Sequence, residues 1–198
     1  MAALVLASGS STRRVMLERA GLTVIIDPPN VDEGAVKQDC RARGLNAGDT
    51  AMELAIAKAG QIAPRHPGRI VLGADQMLEC EGEWFDKPAD RPAAARQIAR
   101  LSGRTHTLFS AVAAMRDGTV IWRGLERAEL SVRTLSAGFI ESYLDRIGDA
   151  VLSSVGGYQV EGLGIQLFDA IRGDHSTILG MPLIPLLGFL RGEGAIAK

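Results

Sequence analysis

Residues 4–14 read LVLASGSSTRR, an apolar run that gives way to small polar residues and then to a charged segment. Residues 3–6 (ALVL) are expected to form a short buried strand, ASGSS the loop after it, and residues from about Thr12 to Ala20 a helix. A strand that feeds a helix through a tight loop is a building unit of α/β folds. The free N–H groups at such a helix start suit a phosphate. Ser8, Ser10 and Ser11 add hydroxyl donors, Gly9 allows close backbone approach, and Arg13 brings a guanidinium fork able to hold phosphate oxygens bidentately. The same residues read equally well as a serine-capped helix with solvated arginines. The stretch is not a Walker A loop, a Rossmann fingerprint or a G-x-S-x-G elbow.

The pattern continues outward. Thr50 and Glu53 have capping-box spacing ahead of Ala55, Ile56, Ala59 and Ile62, which predicts a helix starting there. RIVLGAD (69–75) reads as a buried strand delivering Asp75 at its C-terminal end. Asp90 and Pro92 open a helix that runs to about Leu101 and stops at Ser102-Gly103. LFSAVAAM (108–115), Asp117-Gly118 and VIWRGLE (120–126) form a hairpin, and AELSVRTL (128–135) alternates as a further strand. Residues 138–147 are expected to be helical, GIQLFDAI (164–171) a strand, and the Pro-Leu-rich C-terminus a helix. Alternating helices and strands with an added hairpin indicate α/β with a mixed sheet and flanking helices.

The chain has 198 residues, enough for a proper core, and no composition shift marks a linker, so residues 1–198 read as a single domain. A net charge of -1, from 22 basic and 23 acidic residues, argues against a nucleic-acid partner. An anionic ligand must then be small and held by a few placed cations. The longest uncharged stretch, STILGMPLIPLLGFL (176–190), is shorter than the ~20 residues of a spanning helix and contains two prolines, so no membrane partner is expected. MAALVLASGS is too short and too uncharged at its start for a signal peptide. Cys40 and Cys80 have no metal or redox spacing. Together these point to a cytoplasmic protein.

Four further features could carry chemistry. Asp75 closes an apolar strand; Asp32-Glu33 is a loop acid pair; Lys58 lies between Leu54 and Ile62 on one helical face, with its amine reaching past the edge; and Lys87 sits in FDKPAD. For Asp75 alone, solvation or a cap is the better explanation, and the loop acid pair reads equally as facing water. A Ser10–His175–Asp169 hydrolase triad has no local motif behind it. A nucleoside triphosphate carries about four negative charges, which hard metal ions, Lys and Arg neutralise. A hydroxyl loop, an arginine, two lysines and separated acids are the parts such a site needs, although spacing does not show that they converge.

The chain resembles the Maf family of nucleoside triphosphate pyrophosphatases from about Leu4 to Leu190. The matching stretches come in the family's order: LASGSSTRR, VDE, LAIAKA, VLGAD, DKP, LSGRTH, YQVEGLG and GMPL. The resemblance implies a mixed α/β fold with two lobes around a cleft, like other enzymes that remove noncanonical nucleotides. It also implies dependence on a divalent metal (Mg2+ or Mn2+) and, as in many members, a homodimer. Asp75 matches the family's proton acceptor; Ser8, Ser10, Arg13, Lys58 and Lys87 match positions lining the phosphate site; Glu33, with Asp75, matches a metal-facing acid. Water attacking the α-phosphorus with Asp75 as base would release diphosphate. Ser11 stands where the family commonly has Pro, and SSVGG (153–157) where many members have Lys-Ala-Gly.

Three positions vary between branches of the family: Thr12, Gln76 and Glu161. Gln76 and Glu161 resemble the 7-methyl-GTP branch, whereas Thr12 matches neither that branch nor the dTTP/UTP branch. Guanine offers adjacent N1–H and amino donors that the Glu161 carboxylate can accept together, and N7 methylation strengthens both. The resemblance therefore leans to 7-methyl-GTP, with dTTP or UTP the other substrate reading. A non-catalytic nucleotide-binding regulator of cell division is the reading from another class; an intact acid–base set argues against it.

Overall fold

The computed structural model describes residues 4–197. Its elements are β1 (Leu4–Ala7), α1 (Ser11–Arg19), β2 (Val24–Ile26), α2 (Glu33–Ala42), α3 (Ala47–Ile62), β3 (Val71–Cys80), β4 (Glu83–Phe85), α4 (Arg91–Leu101), β5 (Thr105–Arg116), β6 (Thr119–Val132), α5 (Ala137–Ile147), β7 (Phe168–Arg172), α6 (His175–Ile178) and α7 (Leu183–Gly192). The strand expected over 3–6 is β1; Ala3 lies outside the described residues. The strands bond in the order β2-β1-β3-β5-β6-β7, with β4 on β3. β1 pairs parallel with β2 and β3, while β4 and β7 pair antiparallel with β3 and β6, so the sheet is mixed. No helix among the described residues is long and apolar enough to cross a membrane.

The chain divides into two compact units, the first comprising Met1–Gln76, Phe109–Glu126 and Asp174–Lys198, the second Met77–Leu108 and Arg127–Gly173. In the first, β1 and β3 are covered on both faces, which is why they read as apolar runs rather than alternating strands. Leu4, Leu6, Leu72 and Ala74 pack on one face with Leu17 of α1 and Leu186 and Leu190 of α7. Val5, Ala7 and Val71 pack on the other with Ala59 and Ile62 of α3. Strand residues alternate between faces, so Gly73 and Asp75 fall on the α3 side and Gln76 on the other. Gly73 admits α3 closely: a Cβ there would stand 2.0 Å from the Ala55 carbonyl oxygen and 2.7 Å from the Ala59 nitrogen.

Several expectations change in detail. α3 begins at Ala47, where Asn46 Oδ1 accepts from the Asp49 N–H at 2.9 Å. Thr50 is therefore inside the helix, its N–H donating to the Asn46 carbonyl at 3.0 Å, and it is buried. β3 does not stop at Asp75 but continues to Cys80, since Met77 and Leu78 are buried and Leu78–Cys80 pair with β4. The segments at 120–126 and 128–135, expected as two strands, merge into one strand, β6, which ends at Val132 and whose exposed residues Leu125–Arg127 stay extended. The Asp117-Gly118 turn is as expected, both residues having positive φ (49° and 78°).

In the second unit, Asp90 caps α4, its Oδ1 accepting from the Ala93 N–H at 2.7 Å, and Pro92 lies in the first turn. Residues 163–167 form a 3-10 turn, so only the second half of the GIQLFDAI stretch is strand, as β7. His106 Nε2 meets the Tyr158 hydroxyl at 2.6 Å, and the rings of Tyr158 and Phe168 pack in a T-shaped contact with centroids 4.9 Å apart. Cys40 and Cys80 are free and buried.

Candidate active site

Ser10 caps α1, its Oγ accepting from the Arg13 N–H at 3.3 Å. The Ser8 hydroxyl, almost fully buried, accepts from the Ser10 N–H at 3.2 Å and from Arg13 Nη1 at 3.3 Å. Both hydroxyls act here as acceptors, so each keeps its proton to donate. Arg13 is not a solvated surface cation. Its Nε donates to the Gly180 carbonyl at 2.9 Å and Nη1 to the Ala74 carbonyl at 2.9 Å. With the Ser8 contact, three of the five N–H donors of the guanidinium are engaged, and among the described residues no acceptor meets Nη2. Burial lowers the Arg13 pKa, opposed by the negative charges of Asp75 and Glu33.

Lys58, Glu33 and Asp75 converge. Lys58 Nζ lies 2.5 Å from Asp75 Oδ1 and 2.6 Å from Glu33 Oε1. The Lys58 amine does not reach past the helix edge into solvent; it is buried, as is Asp75, and Glu33 closes the group from the first turn of α2. Asp32, its neighbour in the loop acid pair, caps α2 instead, accepting from the Ala35 N–H at 2.9 Å. Burial pushes the Asp75 carboxyl above the usual carboxylate range, the Lys58 and Arg13 charges pull it back, and Glu33 adds to the rise. A buried carboxyl held beside an ammonium can take up and return a proton nearer neutrality than a solvated aspartate.

Among the described residues no group of three or more His, Cys, Asp or Glu is placed to hold a metal ion. Glu33 and Asp75 offer two carboxylates drawn onto a single cation. That is the hard-oxygen set with which Mg2+ is commonly held beside substrate phosphates, one or two carboxylates with the remaining places filled by water and phosphate oxygens. The pair therefore fits such an ion in chemical type.

Gln76 lies on the opposite pleat from Asp75. Its Nε2 lies within hydrogen-bond distance of three acceptors, Ser110 Oγ at 2.9 Å and the carbonyls of Ile178 at 3.0 Å and Thr177 at 3.1 Å, so its two N–H groups are shared among them. Thr12 is half-buried in the first turn of α1. Lys87 and Glu161 belong to the second unit. Lys87 is exposed between β4 and α4, and Glu161 is exposed in a turn where the Gly162 N–H donates to the Gln159 carbonyl at 3.2 Å.

Ser8, Ser10, Arg13, Glu33, Lys58 and Asp75 thus gather in the first unit. Sequence reasoning missed Ser110 and the carbonyls of Ala74 and Gly180, which hold other site residues. A backbone acceptor leaves no mark in side-chain identity; the one local signal was Gly180 within GMPL.

Residues 3–193 match the family described as Maf-like protein. A nucleoside triphosphate pyrophosphatase of Paramagnetospirillum magneticum is 50% identical over 96% of this chain and 98% of its own. A 7-methyl-GTP pyrophosphatase of Mesorhizobium japonicum is 49% identical over 98% of this chain and 97% of its own. A crystal structure of a dITP/XTP pyrophosphatase from Mycobacterium abscessus aligns with 97% of this chain and 98% of its own at TM-score 0.48 and 16% identity, too slight a likeness to bear on function. By the near-complete family match and relatives at about half identity, the chain belongs to the Maf family.

Proposed function

We propose that this Maf-family chain is a nucleoside triphosphate pyrophosphatase that uses Asp75 as its base and prefers 7-methyl-GTP. The observation that carries the reading is the buried Lys58–Asp75 pair with Glu33 on the same ammonium, near the charge of Arg13. Asp75 accepts a proton from water as the water oxygen bonds to the α-phosphorus. The bond from that phosphorus to the bridging oxygen breaks, and diphosphate leaves with the electron pair. Lys58, Arg13 Nη2 and the Ser8 and Ser10 hydroxyls supply charge and donors to the phosphate oxygens. Glu33 and Asp75 would hold a divalent ion, which when bound neutralises charge developing on the triphosphate.

The base preference rests on Glu161. Its carboxylate is exposed and available as an acceptor. Guanine presents two neighbouring donors to such a group, whereas a pyrimidine edge sets carbonyl oxygens beside its N–H and is repelled by it. The 49% identity to a 7-methyl-GTP pyrophosphatase supports the same preference. The test is kcat/KM for 7-methyl-GTP, GTP, dTTP and UTP in the wild type and Glu161→Gln. The reading expects 7-methyl-GTP to lead in the wild type and to lose its lead in the variant. A wild-type preference for dTTP or UTP that the substitution leaves unchanged would overturn the base assignment while leaving the pyrophosphatase in place.

A further inference from the structure

The carbonyl of Thr177 is a hub. It accepts from Ser110 Oγ at 2.7 Å, from the Gly180 N–H at 3.0 Å and from Gln76 Nε2 at 3.1 Å. Ser110 is fully buried on β5 and Gln76 is half-buried on β3. The orientation of the Gln76 amide is dictated by its surroundings, because the carbonyls of Thr177 and Ile178 are acceptors only and must face its NH2. The single Ser110 proton goes to Thr177, so Ser110 in turn accepts from Gln76.

Gly180 links this knot to the candidate active site. Its N–H is fixed on the Thr177 carbonyl, and its own carbonyl accepts from Arg13 Nε at 2.9 Å. The residue holds φ at +98°, a conformation that side chains disfavour, and a Cβ there would stand 3.5 Å from Arg13 Nε and Nη2. The second clamp on the guanidinium is the carbonyl of Ala74, two residues before Gln76 on β3. Both carbonyls that hold Arg13 therefore belong to backbone that Gln76 ties together.

We infer that Gln76 and Ser110 are positioning residues for Arg13: they pin the Thr177–Gly180 turn to β3 and so fix the carbonyls that aim the guanidinium. The inference rests on the reading of Arg13 as a triphosphate contact. It departs from the expectation that Gln76 helps set the base preference, because its donors face the turn and the triphosphate is the same whatever the base. Ser110 gains a role that no motif indicated.

The experiment is a double-mutant cycle. Gln76→Glu keeps the shape and removes the donors, and Ser110→Ala is the milder companion should the first variant fold poorly. Each is measured alone and combined with Arg13→Ala, with kcat/KM for 7-methyl-GTP, GTP, dTTP and UTP and the thermal midpoint. Misaiming a group that binds the reacting substrate is expected to lower kcat/KM by ~10- to 100-fold in Gln76→Glu, with a smaller loss in Ser110→Ala. The loss should be the same factor for all four substrates, and each double variant should be no worse than Arg13→Ala alone. A change in the ratios among the four substrates would show that Gln76 reads the base and overturn the inference. So would losses that multiply in the double variants, because the residues would then act independently of Arg13. Wild-type kcat/KM in Arg13→Ala itself would remove the triphosphate reading and the inference with it, an outcome visible in that single variant.

Discussion

Lys58 Nζ lies 2.5 Å from Asp75 Oδ1, a contact between a helix and a strand whose closeness depends on a glycine. Gly73 shares the α3-facing pleat with Asp75, and any Cβ there would collide with the backbone of α3 at Ala55 and Ala59. Neither neighbour is a flexible side chain that could turn aside. Gly73→Ala should therefore push α3 off the strand, costing at least ~1–3 kcal/mol and widening the Lys58–Asp75 gap. Urea unfolding and kcat measured together check this: both should fall. Wild-type stability and turnover in Gly73→Ala would contradict the geometry.

Lys58 differs from an exposed cation in what its removal should do. Lys58→Ala leaves the buried Asp75 carboxylate without its partner, an effect of ~3 kcal/mol for a broken buried pair. Asp75 already has a raised pKa, and losing the ammonium raises it further. The variant can therefore recover part of the loss at low pH, where Asp75 takes a proton. Denaturant midpoints at pH 5 and pH 8 should show the variant's deficit to be larger at pH 8. An equal deficit at both would mean that Asp75 is not the charge left exposed to burial.

His106 gives a separate pH signature. Burial lowers its pKa from the ordinary 6.5 to about 4, and Nδ1 has no partner among the described residues, so the folded state favours neutral imidazole. A depressed folded pKa means that this contribution is fully present above pH 6.5 and is lost as pH falls toward 4, where the unfolded chain binds the proton more readily. The difference corresponds to about 3 kcal/mol across that window. Subtracting the stability of His106→Phe from that of the wild type between pH 7 and pH 4 should expose the slope; a flat difference would rule it out.

Much of this was legible in local patterns. Asp90 caps the helix it was expected to open, a serine caps α1 with the helix starting at Ser11 beside the expected Thr12, and Asp117-Gly118 makes the hairpin turn, because each acts through backbone within three residues of itself. The start of α3 was misplaced because Thr50 and Glu53 repeat a capping pattern inside a helix already capped by Asn46. No element was expected over residues 21–49 and Asp32-Glu33 read as a loop pair, whereas β2 and α2 lie there, with Asp32 as the cap and Glu33 in the first turn of α2. In the candidate active site the residue types were visible, but their convergence was not. Lys58 and Asp75 meet because Gly73 lets two elements approach, and Arg13 is held by carbonyls that no side-chain pattern encodes.

The position of bond cleavage follows from which phosphorus the water attacks. Reaction in ¹⁸O-water should put the label in the nucleoside monophosphate, with diphosphate unlabelled and no orthophosphate formed. Label in diphosphate would move the attack to the β-phosphorus, and labelled orthophosphate would move it to the γ-phosphorus.

The most direct test of the account is the turnover of Asp75→Asn at saturating triphosphate and divalent metal. The amide keeps the size and fold position of the carboxyl but cannot accept the proton, so kcat for diphosphate release should fall by at least ~10²-fold, the lower range for a positioned base, while the far-UV circular dichroism spectrum stays that of the wild type. A folded Asp75→Asn enzyme working within a few-fold of the wild-type rate would contradict Asp75 as the base.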